Sequence, residues 1–457
     1  MFDNWAPTRY ERMLYEGGGS EEQRALLAGI SRAIRMSHAT RDARDMEVAG
    51  TATGLVAPLV FFYTWWMIRS AMASGIRRIY FMARDGQIFM RAAQVLVRSW
   101  NLDIEVCYLY CSRESLLLPS FERMEDFELN WITWGYLSTI TAAEISRRLG
   151  LTPEELRPFL EAGGLNRYAS HPGRPIARED MPVLQGVLRE ETLADAVRAK
   201  ARPLFDLTIA YLDQEGLCDG MPFALADTGW RGSSQYAVSA LMHKGKIRPA
   251  GGISGYYVGL NCDVHQYGND MLQAFLFDWR HTPRDYRLYY FICFEMLFSA
   301  DHGRTLGYRQ ERNVIVPILG NAPDDVIRNL VGIHHDYVEE YVRRASGAMG
   351  FDSFDEALAD VARRLSRSFI CSPSKWEAAI YGDWPIASEI GEGDFQSMAP
   401  PMGLGQFVRC ALGKERVRGF WPQASLIRNS QGLACRAYNL FLDLGALDWY
   451  RRFLLRY

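Results

Sequence analysis

Two aspartates stand where this chain is best placed to do chemistry. The apolar run Ile79–Met82 ends in Ala83-Arg84-Asp85-Gly86, and a second apolar run, PFALAD, ends at Asp227 before Thr228-Gly229. Acids at the ends of neighbouring parallel strands converge on one crevice, where open α/β sheets bind their ligands. Such a pair suits Mg²⁺, a hard cation that takes one or two carboxylates and fills its shell with water and substrate phosphate. Asp85 and Asp227 are therefore candidate metal ligands and candidate catalytic groups. The competing reading makes each a cap of the helix that follows, a common structural role for Asp.

Three more constellations lie near such strand ends. Gly229-Trp230-Arg231-Gly232-Ser233-Ser234 combines glycines, a helix start with free N–H groups and the fixed positive fork of Arg231, which suits a phosphate. It matches neither a Walker loop nor a GxGxxG fingerprint. Ser112-Arg113-Glu114-Ser115 could orient a phosphoryl oxygen, or simply cap a helix. Asp301-His302-Gly303-Arg304 sets a His beside an Asp, and such a His can move protons near neutral pH; a lone His more often only makes structural hydrogen bonds. The candidate site is thus Asp85, Asp227 and His302, with Arg84, Gly86, Ser112, Arg113, Gly229, Arg231 and Ser233 around a phosphate.

The elements that must position these residues follow from periodicity. Arg77–Met82, a helix Gln87–Trp100 and Ile104–Ser112 form a βαβ unit, whose crossover is right-handed. Residues 120–204 turn helical, with Thr141 and Thr152 as cap residues and Pro153 at a first helical position. This is a helical insertion. Strands resume at Pro222–Asp227, Ile253–Leu260 and Gln273–Phe277, with a helix Gln235–His243 between the first two. The run 289–298 reads as a buried helix, and the strand Val314–Leu319 closes this part. Residues 1–45 form a polar N-terminal helical arm, with Ser20 and Gln23 at capping-box positions. Residues 321–457 are again mostly helical, in the amphipathic stretches Asp324–Arg344 and Phe354–Phe369. The expected organisation is an α/β core over 46–119 and 205–320, a helical cap-like insertion over 120–204 and a helical C-terminal domain over 321–457.

Composition narrows the function classes. The chain has 457 residues, 48% apolar and 23% charged, with a net charge of −3. No overall basic surface argues for nucleic acid. The text ISRRLGLTPEEL has a trace of a helical DNA-binding motif, and the acidic residues around it argue against one. Eight cysteines are scattered, with no CxxC pair and no metal spacing; reduced core cysteines in a cytoplasmic protein are the expectation. No signal peptide opens the sequence. Gly54–Ile68 is uncharged but short of the ~20 residues a span needs, and it contains Pro58. A buried core helix is expected, with membrane-surface contact as the weaker reading and no transmembrane span.

Five stretches occur in the same order in one known family: FMARDG near residue 81, YLYCSRESLLLP near 108, ADTGWRGSSQ near 226, FEMLFSADHGRTLGY near 294 and FICSPSKWEAAIYGDWPI near 369. On these the chain resembles large bacterial predicted hydrolases of the haloacid dehalogenase (HAD) superfamily, similar to proteins found beside or fused to glycosyltransferases of surface-polysaccharide synthesis. The resemblance covers about residues 50–425. It implies a Rossmann-like sheet with an inserted cap, Mg²⁺, and attack on phosphorus by a strand-end Asp. Asp85 then takes the general-acid position, Asp227 the later metal position and Ser112 the phosphate-binding hydroxyl. The nucleophile position holds Ala83. A shifted register would make Asp85 the nucleophile and Gln87 its partner, but it leaves Arg84 at an apolar strand position. Lys244 and Lys246 are both candidates for the basic residue of the third motif.

The expected function is HAD-like phosphohydrolase or phosphotransferase action on a phosphorylated sugar or nucleotide-sugar in surface-glycan synthesis. One alternative is glycosyl or phosphoglycosyl transfer on the same fold. Another is an inactive binding module for glycosyltransferases, with Phe61–Trp66 and Phe420–Trp421 as contact surfaces, against the commoner reading of these aromatics as core packing.

Overall fold

The computed structural model describes residues 6–38, 42–133, 140–387, 395–412, 414, 415, 417 and 419–444. The expected N-terminal arm, insertion and C-terminal domain are described only within those bounds.

Short runs rich in β-branched and aromatic residues, ended by Gly, Pro or charged turns, become the strands β1 (Arg78–Met82), β2 (Glu105–Leu109), β3 (Phe223–Trp230), β4 (Ser254–Leu260) and β5 (Met271–Asp278). They pair in the order β2-β1-β3-β4-β5, every pair parallel. A parallel sheet is covered on both faces by its crossover helices. β1 is accordingly buried along its whole length, while the edge strand β2 is more open. The order reverses between β1 and β3. That is the switch point of a doubly wound, Rossmann-like sheet, and the crevice above it is where such sheets bind ligands.

One face of the sheet rests on the helix Ala57–Ala73. Its sequence is apolar all round, so it can only be buried. Phe61, Trp65 and Ile68 have no exposed surface. The longer helical stretch Ala43–Ala73 is long and apolar enough to cross a membrane, yet 89% of its apolar window is buried inside the fold. Core packing, the commoner reading of Phe61–Trp66 and Phe420–Trp421, holds, and the rival reading of them as contact surfaces is corrected. Trp421 is fully buried, its indole N–H donating to Ile370 O at 2.7 Å, and only Trp66 of the first group keeps partial exposure.

The terminal helices complete this core. A single apolar cluster runs from Tyr10 and Leu14 through the sheet to Tyr381 and Trp421. Buried polar contacts reinforce it: Arg35 pairs with Glu11 at 2.6 Å, and Tyr10 bonds to Glu377, itself on the helix Lys375–Gly382. The insertion instead has its own apolar core, from Phe121 to Ala201. Its closing helix, Glu191–Gln214, returns the chain to β3.

Val314–Leu319 is a strand, as expected, and pairs antiparallel with Thr305–Glu311 in a hairpin outside the five-stranded sheet. That hairpin sits on the end of β2, where the Tyr308 hydroxyl donates to Tyr110 O at 2.8 Å. The apolar run 289–298 yields only the short helix Ile292–Leu297, after a 3₁₀ turn at Tyr286–Leu288.

Candidate functional site

The β1 end shows how the site is built. Gly86 opens the helix Gly86–Trp100 directly above Phe81, and a Cβ there would lie 2.9 Å from the Phe81 carbonyl carbon. The close turn therefore needs glycine, a packing reason that does not involve a ligand. Asp85 occupies the cap position of that helix, but its side chain makes no capping bond. Asp227, still within β3, accepts only from its neighbour Thr228 N, at 2.8 Å, and the helix after β3 starts at Gly232 without a side-chain cap. The capping reading fails for both acids.

A third acid joins them. Glu295, on the short helix Ile292–Leu297, accepts from the Trp230 indole N–H at 2.8 Å. Trp230 ends β3, and its ring packs against Phe294 with centroids 5.7 Å apart. Asp85, Asp227 and Glu295 each keep some solvent-accessible surface while protein atoms crowd them on most sides. The charges of Asp227 and Glu295 reach Asp85, and that of Glu295 reaches Asp227.

The electrostatics agree. Burial pushes the Asp85 carboxyl well above the usual range, and the negative fields of Glu295 and Asp227 push it further. Arg84 pulls it back, as does the Thr228 hydroxyl, which is buried without a well-formed hydrogen bond. Asp227 is raised to about 7, chiefly by burial, with Glu295 adding to it and Arg113 opposing it. Burial raises Glu295 too, against the Trp230 hydrogen bond and the fields of Arg113 and Arg84. Three crowded carboxyls thus face two arginines, both of them largely exposed. This crowding of carboxyls favours protons or an added cation.

The remaining predicted residues divide into two groups. Arg113, Arg231 and Ser233 line one small cleft of about 20 Å³ together with His265 and with Phe127, Asn130 and Trp131 of the insertion. It has room for about one water, so a larger ligand needs the insertion to move. Arg231 is also paired with Asp263 at 3.1 Å. The second group is committed to the fold. The Ser112 hydroxyl donates to Thr305 O at 2.5 Å and accepts from Ser115 N at 3.2 Å, capping the helix Arg113–Ser120. Gly229 has φ +133°, and a Cβ there would lie 2.1 Å from Gly259 O of β4. Its close approach is to a neighbouring strand.

His302 lies on the loop that seats the hairpin. Its Nδ1 is 2.8 Å from Gly303 O, and its Nε2 is 2.7 Å from the Tyr108 hydroxyl. A carbonyl only accepts, so Nδ1 carries the proton and Nε2 accepts from Tyr108. Burial lowers the imidazole pKa, keeping it neutral. Gln87 holds the same loop: its amide donates to Asp301 Oδ1 at 2.8 Å and accepts from Asp301 N at 3.2 Å. The amide that the shifted register would assign as Asp85's partner is thus engaged with the loop. Lys244 ends the helix that Ser233 starts, about 18 Å along its axis, and binds Pro119 O and Phe121 O at 3.3 and 3.0 Å. Lys246 lies beyond it in a left-handed turn, with φ +58°.

Glu295 is the residue that sequence reasoning missed. Its signal was a single acid inside the apolar run YYFICFEMLF. Among the described residues no group of three or more His, Cys, Asp and Glu side chains is arranged to hold a metal ion. Asp85 and Asp227 form a smaller donor set, and for Mg²⁺ one or two carboxylates suffice. No protein-family model and no curated protein matches the chain.

Proposed function

We propose that this protein carries out Mg²⁺-assisted phosphoryl chemistry of the HAD-like kind, as a phosphohydrolase or phosphotransferase acting on a phosphorylated sugar or nucleotide-sugar in cytoplasmic steps of surface-glycan synthesis. The observation that carries the reading is the pair Asp85 and Asp227. The two acids flank the β1/β3 switch point, cap nothing, and are held where burial disfavours their charge. Keeping acids in such a place costs stability, a common mark of a functional site.

The donor set fits Mg²⁺: two carboxyls of raised pKa and the loosely bonded Thr228 hydroxyl supply hard oxygen donors. When bound, the ion neutralises phosphate oxygens and holds the acids ionised. The chain's own groups do the rest. Arg113 and Arg231 at the cleft bind the phosphate. Asp85, with Ala83 where the resemblance places a nucleophile, takes the proton from an attacking water or acceptor hydroxyl as that oxygen bonds to phosphorus, and gives it to the ester oxygen as the old P–O bond breaks. A carboxyl of raised pKa is a serviceable base near neutral pH. The insertion, with Phe127 and Trp131 on the cleft, covers the sugar.

Release of inorganic phosphate from a panel of sugar phosphates and nucleotide-sugars, with and without Mg²⁺, tests the reading. Turnover that needs the ion and disappears in Asp85→Asn and Asp227→Asn is expected. Undiminished turnover in Asp85→Asn would sink it.

A second reading, glycosyl or phosphoglycosyl transfer, is favoured by Ala83 together with the aromatic wall of the cleft. Its mark is a sugar joined to an acceptor in mass spectra, without free phosphate. Glycosyltransferases are the natural partners under either reading.

A further inference from the structure

Four arginines from separate parts of the chain gather beside the cleft that Arg113 and Arg231 line. Arg147 lies in the last turn of the insertion helix Ala142–Arg148, Arg304 in the loop before the hairpin, Arg113 at the start of the helix Arg113–Ser120, and Arg84 in the turn after β1. One carboxylate, Glu114, answers two of them: it pairs with Arg304 at 3.0 Å and more loosely with Arg147 at 3.7 Å. The charges of Arg84, Arg147 and Arg113 all reach Arg304. Burial first, and then these three fields, press its guanidinium below its ordinary pKa against the pull of Glu114.

One acid does not neutralise this cluster. Arg304 Nε is buried without an acceptor, and Glu114 Oε2 makes no well-formed hydrogen bond despite its ion pair. Among the described residues the Arg84 guanidinium makes no ion pair and no side-chain hydrogen bond, although its field reaches Asp85 and Glu295. Arginines held this close repel one another, and an anion between them removes that cost. The cluster is open to one: the side chains of Arg304 and Arg147 are 27% and 40% exposed, and Arg84 and Arg113 are exposed as well. Guanidinium forks match phosphate oxygens two at a time. Arg113 belongs to both groups, since it lines the cleft with Arg231 and its charge reaches Arg304. Two adjoining anion positions that share an arginine fit two linked phosphates. A sugar monophosphate fills the first position and leaves the second without its anion.

We propose that Arg147 and Arg304, with Arg84, form a second phosphate position next to the Arg113/Arg231 cleft, so that the substrate is a diphosphate ester of the nucleotide-sugar kind rather than a sugar monophosphate. The inference rests on the phosphoryl reading given above and narrows its substrate.

The test is isothermal titration calorimetry of the full chain with inorganic phosphate and with inorganic pyrophosphate. Pyrophosphate should bind about tenfold or more tightly than phosphate, and Arg147→Gln and Arg304→Gln should each lower its affinity about tenfold. Phosphate affinity should fall much less, so that the ratio of the two affinities narrows. Arg343→Gln removes the same charge from a side chain 59% exposed on the helix Asp325–Ala348, and it should leave the ratio unchanged. Circular dichroism checks that Arg304→Gln is folded; if it is not, Arg147→Gln, at the more exposed of the two arginines, decides alone. Equal affinity for the two anions would overturn the proposal, as would a preference for pyrophosphate that survives both substitutions. Failure of the reaction shows itself separately. A pyrophosphate preference that depends on Arg147, with no phosphate released from any substrate of the panel, keeps the second phosphate position and removes the reaction. Release from sugar monophosphates without such a preference keeps the reaction and removes the position.

Discussion

Glu295 accepts the Trp230 indole N–H at 2.8 Å, and this bond ties the last residue of β3 to an acid 65 positions later. It brings a third carboxyl to the crevice that Asp85 and Asp227 already flank. Its field raises both of their pKa values. Glu295→Gln keeps an oxygen for the indole and removes the charge. Under the proposed function the acid limb of the pH–rate profile should move to lower pH, because Asp85 and Asp227 then ionise more readily. Steady-state phosphate release from pH 4 to 9 measures this; a profile that stays in place, or moves up, contradicts it.

Asp227 makes a stability prediction that needs no substrate. Its carboxyl is raised to about 7 from an ordinary 3.8, so the folded state holds a proton that the unfolded chain gives up. A raised acid contributes stability below its ordinary pKa and loses it as pH rises through the folded value. Asp227→Asn should therefore melt higher than the unaltered chain at pH 8, by about 2 °C or more, and the difference should close near pH 4. Mg²⁺ should raise the melting temperature of the unaltered chain at pH 8 and leave the variant nearly unchanged. Calorimetry across that range gives the answer. A variant that is less stable at pH 8 would mean that Asp227 has a structural partner.

The strand ends were legible in the sequence because they are local. An apolar run stopped by an acid and a glycine needs no long-range information, and β1 and β3 begin and end within three residues of expectation. Whether Asp85 caps its helix was not legible, because that depends on where its side chain points. Glu295 was hidden for another reason: its partner Trp230 is distant in sequence, and an acid in an apolar run looks like a surface position. The hairpin Thr305–Glu311 with Val314–Leu319 was half seen, since its polar strand carries little alternation. The terminal helices look like separate units by composition. The contacts that join them to one another, such as Arg35 with Glu11 and Tyr10 with Glu377, are charged or polar pairs that periodicity does not register.

Gly229 tests the claim that its glycine serves the sheet. A Cβ there would lie 2.1 Å from Gly259 O, and its φ of +133° disfavours any other residue. Gly229→Ala should cost about 2–4 kcal/mol in urea unfolding and pull β3 away from β4. Gly86→Ala meets the Phe81 carbonyl carbon at 2.9 Å and should cost less, since the contact is longer and Gly86 does not need a left-handed backbone. Comparable stability of Gly229→Ala and the unaltered chain would leave a ligand as the reason for this glycine.

His334 and His335 oppose Asp227 over much the same pH window. Both are buried, and desolvation lowers both pKa values to about 4 from 6.5. His334 Nε2 lies 2.8 Å from the Tyr381 hydroxyl, inside the core that joins the helix Asp325–Ala348 to Lys375–Gly382. A base whose folded pKa is depressed binds protons more readily when the chain is unfolded. Its contribution to stability is full above pH 6.5 and is lost as pH falls toward 4. His334→Gln retains a partner for Tyr381 and cannot become charged. Its melting temperature should fall less between pH 6.5 and 4.5 than that of the unaltered chain, while Asp227→Asn should fall more, because it has lost the acid that gains stability in the same range. The double variant separates the two slopes, since the sites share no contact and their effects should add. Parallel curves for His334→Gln and the unaltered chain would show that this histidine is already charged, or already solvated, in the folded protein.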